Sequence, residues 1–251
     1  MAVLEVRHLT KKFGGLIAVN GLDFDIREGE ILGMIGPNGA GKSTTFNLIA
    51  GAYPATEGAV RFAGESILGL PPHRIATRGI LRTFQHNRPF AGMSVVDNVL
   101  VGAHRLFKKS VFSKGNSFRE RQMRDKAARV IDFVGLSGRL DADVTTLSFG
   151  EGRLLEIARA LAGEPRLLLL DEPAAGLTPA DLVRLGEVIR GIAARGIAVL
   201  LIEHDMHFLL PLAHRVVVLD FGAKIADGPP GEIRSHPAVR NAYLGSHAAA
   251  R

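Results

Sequence analysis

The sequence predicts an α/β protein with a largely parallel sheet and an inserted helical lobe, and three observations carry that prediction. Short apolar runs ending in polar residues alternate with helical patterns, a glycine-rich loop joins one such run to a helix, and residues 87–164 depart from this rhythm. At 251 residues, 47% hydrophobic and 22% charged, the chain can bury one large core or a core with a small lobe.

Taken in order, Glu30 to Ile35 reads as a strand entering Gly36-Pro37-Asn38-Gly39-Ala40-Gly41-Lys42-Ser43, then a helix over Lys42 to Ala50 closed by Gly51. From Asn87 to Glu164 the patterns are helical: Ser94 to Ala103 with a Ser94/Asp97 capping box, Arg119 to Val134, and Phe149 to Ala162. This divides the chain into a core, 1–86 and 165–251, and a lobe, 87–164. With no repeat and no Gly/Ser linker, the lobe is expected to pack on the core. Arg166 to Leu170 and Ile197 to Ile202 are unbroken apolar runs, as strands buried on both faces require. They end in Asp171-Glu172 and Glu203-His204, so polar groups arrive at strand ends, where open α/β sheets bind ligands. From Gly228 short helices lead to a small-residue tail, His247 to Arg251, that is expected to fray.

Composition narrows the chemistry. The chain has no Cys, which excludes disulfides, thiolate metal sites and a cysteine nucleophile, and makes the cytoplasm the default compartment. The start MAVLEVRHL lacks the pattern of a signal peptide, and the longest apolar runs fall far below the ~20 residues of a membrane helix. The net charge of +6 is local: between 102 and 124, Arg105, Lys108, Lys109, Lys114, Arg119, Arg121 and Arg124 stand against Glu120 alone. Two readings of that segment remain open, a solvated loop around Gly115-Asn116-Ser117 and a contact with an anionic headgroup surface. No nucleic-acid partner is expected.

Gly36 to Ser43 matches GxxxxGK[ST]. Glycines at Gly36, Gly39 and Gly41 let backbone N–H groups, including that of Asn38, curl around phosphate oxygens, and the following helix N-terminus adds positive potential. In this pattern Lys42 reaches the β and γ phosphates, the Ser43 hydroxyl goes to Mg²⁺, and the Thr44 hydroxyl is placed for the α phosphate. Asp171, closing the run Leu167 to Leu170, would hold Mg²⁺ through water. Glu172 is placed to polarise the attacking water as general base.

Leu147-Ser148-Phe149-Gly150-Glu151 opens a helix just before that acidic strand, and with the downstream GRLLEIARALAGEPRLLLLDEPAAGL it resembles the ATP-binding-cassette (ABC) ATPases. The resemblance covers essentially the whole chain. It implies a P-loop (RecA-like) core with a mixed, mainly parallel sheet plus antiparallel β strands and an inserted α-helical lobe. It also implies that Ser148 and Gly150 contact the ATP held by a partner cassette. The family pattern is LSGGQ; here Phe149 and Glu151 depart from it, and Ser148 equally suits a helix N-cap. By the same resemblance Phe13 stacks on adenine. Gln85, in RTFQH, senses Mg²⁺ and the attacking water and joins core to lobe, and His204, in IEHDM, contacts the γ phosphate. Ala175-Gly176-Leu177-Thr178 falls at the D-loop, where Thr178 replaces the usual Asp and with Pro179 and Asp181 suits a helix cap.

More finely, FGGLIAVNGL, RTFQHNRPFAGMSVVDNVLVGAH and AYLG are similar to ATP-binding subunits of branched-chain amino-acid importers, while lipopolysaccharide-export and urea-import ATPases are similar over much of the same length. What this implies is a peripheral subunit on the cytoplasmic face of the inner membrane. Its expected partners are integral membrane permeases, a second ABC ATPase, either a copy or a related chain, and an extracytoplasmic substrate-binding protein. A soluble cassette of cofactor assembly or translation is the alternative, and a poorly hydrolysing regulatory module a third. Translation cassettes usually carry two ATP domains, and degenerate modules often lack residues matching Lys42, Glu172 or His204, all present here.

Overall fold

The computed structural model describes residues 2–83, 89–104 and 117–248. In chain order its elements are β1 (Ala2–Phe13), β2 (Leu16–Arg27), β3 (Ile31–Ile35), α1 (Lys42–Ile49), β4 (Glu57–Phe62), β5 (Glu65–Ser66), α2 (Pro72–Arg78) and β6 (Ile80–Arg82). There follow α3 (Val95–Gly102), α4 (Ser117–Phe133), α5 (Phe149–Ala162), β7 (Leu167–Asp171), α6 (Pro179–Ala194), β8 (Ala198–Ile202), α7 (Met206–Leu209), β9 (Arg215–Asp220), β10 (Ala223–Gly228), α8 (Pro230–Ser235) and α9 (Pro237–Ala248).

Two sheets form. One is antiparallel, in the order β2-β1-β4-β5; the other runs β10-β9-β3-β8-β7-β6, parallel throughout except for the edge strand β10. Every residue of β3, β7 and β8 is buried, and their side chains divide by the period of two that a strand imposes. Ile31, Ile35, Leu168, Leu170, Val199 and Leu201 face one core, which the helices α3 to α9 cover. Leu32, Met34, Leu167, Leu169, Leu200 and Ile202 face a second core shared with α1, α2 and the antiparallel sheet. The molecule is therefore layered as sheet, sheet and helices, with the parallel sheet buried in the middle.

Helices α3, α4 and α5 contribute Val95, Val99, Ile131, Leu154 and Ala158 to a core continuous with that of the central strands, and they pack chiefly on one another. The expected boundaries hold within about two residues, the uncertainty that fraying leaves at helix ends. Ser94 caps α3, its Oγ accepting the Asp97 N–H at 3.2 Å as the sequence pattern requires. From Gly228 the chain forms α8, of 6 residues, and α9, of 12, which takes in His247 and Ala248; residues 249–251 of the tail expected to fray lie outside the described residues. Arg105, Lys108, Lys109 and Lys114 of the basic segment, and Gln85, lie outside the described residues.

The topology places β8 between β3 and β7, with Met34 opposite Ile202 and Asp171 opposite Ile202 on the other side. Three neighbouring parallel strands thus deliver the loops beginning at Gly36, Glu172 and Glu203 to one edge of the sheet.

Candidate functional site

The phosphate-loop sequence forms a tight connection from β3 to α1. Gly41 caps α1 at φ 98, and a Cβ there would meet the Ala18 carbonyl at 2.4 Å, so only glycine fits. No side chain caps this helix and no acidic residue stands in its first turn, which leaves its N-terminal N–H groups for an anion. Lys42, 5% exposed, donates from Nζ to the Gly36 and Pro37 carbonyls at 2.7 and 2.9 Å. Burial lowers its pKa, and the nearby carboxylates of Glu172 and Asp171 oppose that shift. The loop is braced from outside: the Gly222 N–H donates to the Ala40 carbonyl at 3.1 Å, and the Tyr243 hydroxyl bonds to the Gly36 main chain.

Asp171, 5% exposed at the end of β7, accepts from Arg82 Nη2 at 3.0 Å, while Arg82 Nη1 holds Asn47 Oδ1 at 2.6 Å. Burial raises the Asp171 pKa and Arg82 acts against the rise. Arg82 went unnoticed in the sequence, although a buried acid at a strand end calls for a cation, and RTFQH supplies one. Glu172 sits at φ 48, its N–H donating to the Ile202 carbonyl at 2.9 Å. Its Oε1 lies 2.5 Å from His204 Nε2. Glu203, next to that histidine, is buried and accepts the Ala174 N–H at 2.7 Å; burial pushes its pKa up to about 7.

A cleft of about 560 Å³ unites these groups: Asn38, Gly39, Gly41, Lys42, Ser43 and Thr44 form one side, Glu172 and His204 another. Phe13, Leu16, Ile17 and Phe221 make an apolar wall. The Phe13 ring stands edge-on to Tyr53 at 5.6 Å between centroids, with Lys11 Nζ 4.7 Å from its centroid. Phe221, 88% exposed in the turn between β9 and β10, was not foreseen, since nothing in its local pattern marks a turn residue as part of a cleft. A separate groove beside Val183 and Phe208 shares no residue with this cleft.

Ser148 and Gly150 do not line the cleft. Ser148 caps α5 in a reciprocal box: its Oγ accepts the Glu151 N–H at 3.1 Å and Glu151 Oε2 accepts the Ser148 N–H at 2.8 Å. Arg139 Nε adds a bond to Glu151 Oε1 at 3.1 Å. The Ser148 N–H, burial notwithstanding, holds the Glu151 carboxyl below its usual pKa. Gly150 packs on Asp181, whose carboxylate a Cβ would meet at 2.4 Å. Phe149, 52% exposed, covers Gly176 and carries the Arg153 guanidinium 5.4 Å from its ring centroid. Thr178 caps α6 by accepting the Asp181 N–H at 3.2 Å, with Pro179 following. The three departures from the expected pattern are thus satisfied locally, as helix caps and as packing between the Ser148 and Gly176 loops.

The family pattern described as "ABC transporter" matches residues 19–175, and one described as "Branched-chain amino acid ATP-binding cassette transporter" matches residues 223–249. The chain is 44% identical over 253 residues to the "High-affinity branched-chain amino acid transport ATP-binding protein BraF" of Pseudomonas aeruginosa, covering 97% of this chain and 98% of that protein. It is 41% identical over 249 residues to the corresponding LivG protein of Escherichia coli (strain K12), at 97% and 98% coverage. Its fold is similar to the ADP conformation of MJ1267, "an ATP-binding cassette of an ABC transporter", at TM-score 0.86, 32% identity, and 98% and 99% coverage.

Proposed function

The chain belongs to the ABC transporter ATP-binding family, and from that membership we propose that it hydrolyses ATP to drive import of branched-chain amino acids through a membrane permease. The observation that carries the proposal is the convergence of the Gly36 loop, Glu172 and His204 on one cleft in a chain similar over its full length to BraF and LivG. The match of residues 223–249 to the branched-chain cassette pattern supports the cargo.

On this reading the adenine lies against Phe13 and the phosphates enter the N-terminus of α1. The main-chain N–H groups from Asn38 to Thr44 and the Lys42 ammonium would bind them there. To do so Lys42 exchanges the Gly36 and Pro37 carbonyls for phosphate oxygens. Glu172 takes the proton of the attacking water, and His204, in contact with that carboxylate, holds it in place and donates toward the γ phosphate. The oxygen donors Ser43 and Asp171 fit a small hard cation such as Mg²⁺. Gln85 belongs to the same proposed set. Bound Mg²⁺ would neutralise charge on the phosphates.

Ser148 and Gly150 would complete a site on a second cassette, because they stand outside the cleft of their own chain. The assembly so proposed comprises two cassettes, identical or related, beneath permease subunits at the cytoplasmic face of the membrane, with an extracytoplasmic protein delivering the amino acid. Among the described residues no helix is long and apolar enough to cross a membrane. Uptake of labelled leucine by cells carrying the wild-type chain or Glu172→Gln tests the reading: uptake is lost in the variant, and unchanged uptake overturns the proposal.

A further inference from the structure

Glu203 is 3% exposed at the end of β8, beside a residue of the reacting pair, and the mechanism above gives it no task. A carboxyl buried so deeply persists only when hydrogen bonds compensate for lost water. Its partner is a main-chain donor: the Ala174 N–H donates to Oε1 at 2.7 Å. The bond joins the two loops that carry the reacting side chains, since Ala174 follows Glu172 by two positions and Glu203 directly precedes His204.

Glu172 needs such support. Its backbone lies at φ 48, a region that a non-glycine residue keeps only when its surroundings over-determine it. On its N-terminal side the Glu172 N–H is held by the Ile202 carbonyl at 2.9 Å, and its own carbonyl accepts the Ala175 N–H at 3.3 Å. The bond that the Ala174 N–H donates to Glu203 ties the turn that follows Glu172 back to the end of β8.

We propose that Glu203 is a positioning residue for hydrolysis: its carboxyl oxygen ties the turn after Glu172 to the loop bearing His204 and so fixes the 2.5 Å approach of the two side chains. The inference rests on the assignment of Glu172 as base. Burial, with Glu172 and Asp205 nearby, keeps the group partly protonated near neutrality, its pKa being about 7. The donor is the neutral main-chain N–H of Ala174, so the clamp requires an acceptor oxygen and not a charge. Glutamine retains that oxygen; leucine removes it.

The test uses the full chain as Glu203→Gln and Glu203→Leu, with Glu172→Gln as reference, reading kcat and KM for ATP, thermal melting and the imidazole ¹⁵N signal of His204. Glu203→Gln is expected within about threefold of wild type in kcat, and Glu203→Leu is expected to lose about tenfold or more in kcat with KM within about threefold. The His204 signal shifts in Glu203→Leu and stays in Glu203→Gln. Should Glu203→Leu fail to fold, Glu203→Met, unbranched and closer in length, reads the same quantities. Wild-type kcat in the apolar variant, an equal loss in Glu203→Gln, or an unmoved His204 signal overturns the proposal. If Glu172→Gln itself turns over normally, the base assignment fails, and the His204 signal still decides whether Glu203 positions the pair.

Discussion

His204 Nε2 lies 2.5 Å from Glu172 Oε1, although the two residues leave different strands. Register brings them near: Asp171 stands opposite Ile202, so β7 and β8 end at the same level, and Glu172, one residue beyond Asp171, meets His204, two residues beyond Ile202. On the proposed function, a histidine and a carboxylate held this way would act as a unit on the nucleotide in the cleft.

Replacing His204 should therefore harm turnover more than binding. His204→Ala is expected to lower kcat about 10²-fold or more while nucleotide affinity changes little, because Lys42 and the Gly36 loop remain intact. Steady-state kinetics beside equilibrium binding of a fluorescent ATP analogue checks this.

Lys42 gives the opposite pattern. Its ammonium is already buried among carbonyls, and phosphate would replace them with charge-assisted bonds worth about 1.5–3 kcal/mol. Lys42→Ala should weaken binding of the same analogue about 10- to 100-fold, and wild-type affinity would remove Lys42 from the phosphate site.

The Ser148 cap makes a prediction about stability. Glu151→Ala removes the acceptor of the Ser148 N–H and the partner of Arg139, and is expected to cost about 1 kcal/mol in chemical denaturation. Glu151→Gln keeps the box, because an amide oxygen accepts the same bond, and should lie close to wild type.

Glu203 predicts a pH dependence. It holds its proton more tightly when folded, with a pKa of about 7 against the ordinary 4.5, so between those values the folded state carries the extra proton and stability falls as pH rises. Above that window the cost reaches about 3 kcal/mol. Glu203→Gln should accordingly match wild type at the acid end of the window and melt higher than wild type above it; parallel melting curves across this range would contradict the burial argument.

Much of this was legible in the sequence because it is local. The run Leu167 to Leu170, apolar without a break and closed by two acids, read as a strand covered on both faces, and Gly36 to Ser43 specified both its turn and the helix after it. Thr178, with Pro179 and Asp181, and Ser148, as a serine opening a helix, were readable as caps, while the reciprocal bond from Glu151 to Ser148 was not read. What stayed hidden depends on which strands become neighbours. Arg82 meets Asp171 only because β6 pairs with β7, Glu203 reaches Ala174 only because β8 lies beside β7, and Phe221 enters the cleft only because the β9–β10 turn bonds to Ala40. The length of α9 was also missed, since its residues carry little apolar periodicity and its Tyr243 is held by a contact with Gly36, distant in sequence.

The central claim is that the Gly36–Glu172–His204 cleft binds and hydrolyses ATP, with Glu172 as base. Its most direct test is ATP binding and ATP turnover measured together in Glu172→Gln. The account predicts affinity at least that of wild type with turnover reduced about 10²-fold or more; turnover near wild type, or loss of binding in step with turnover, would contradict it.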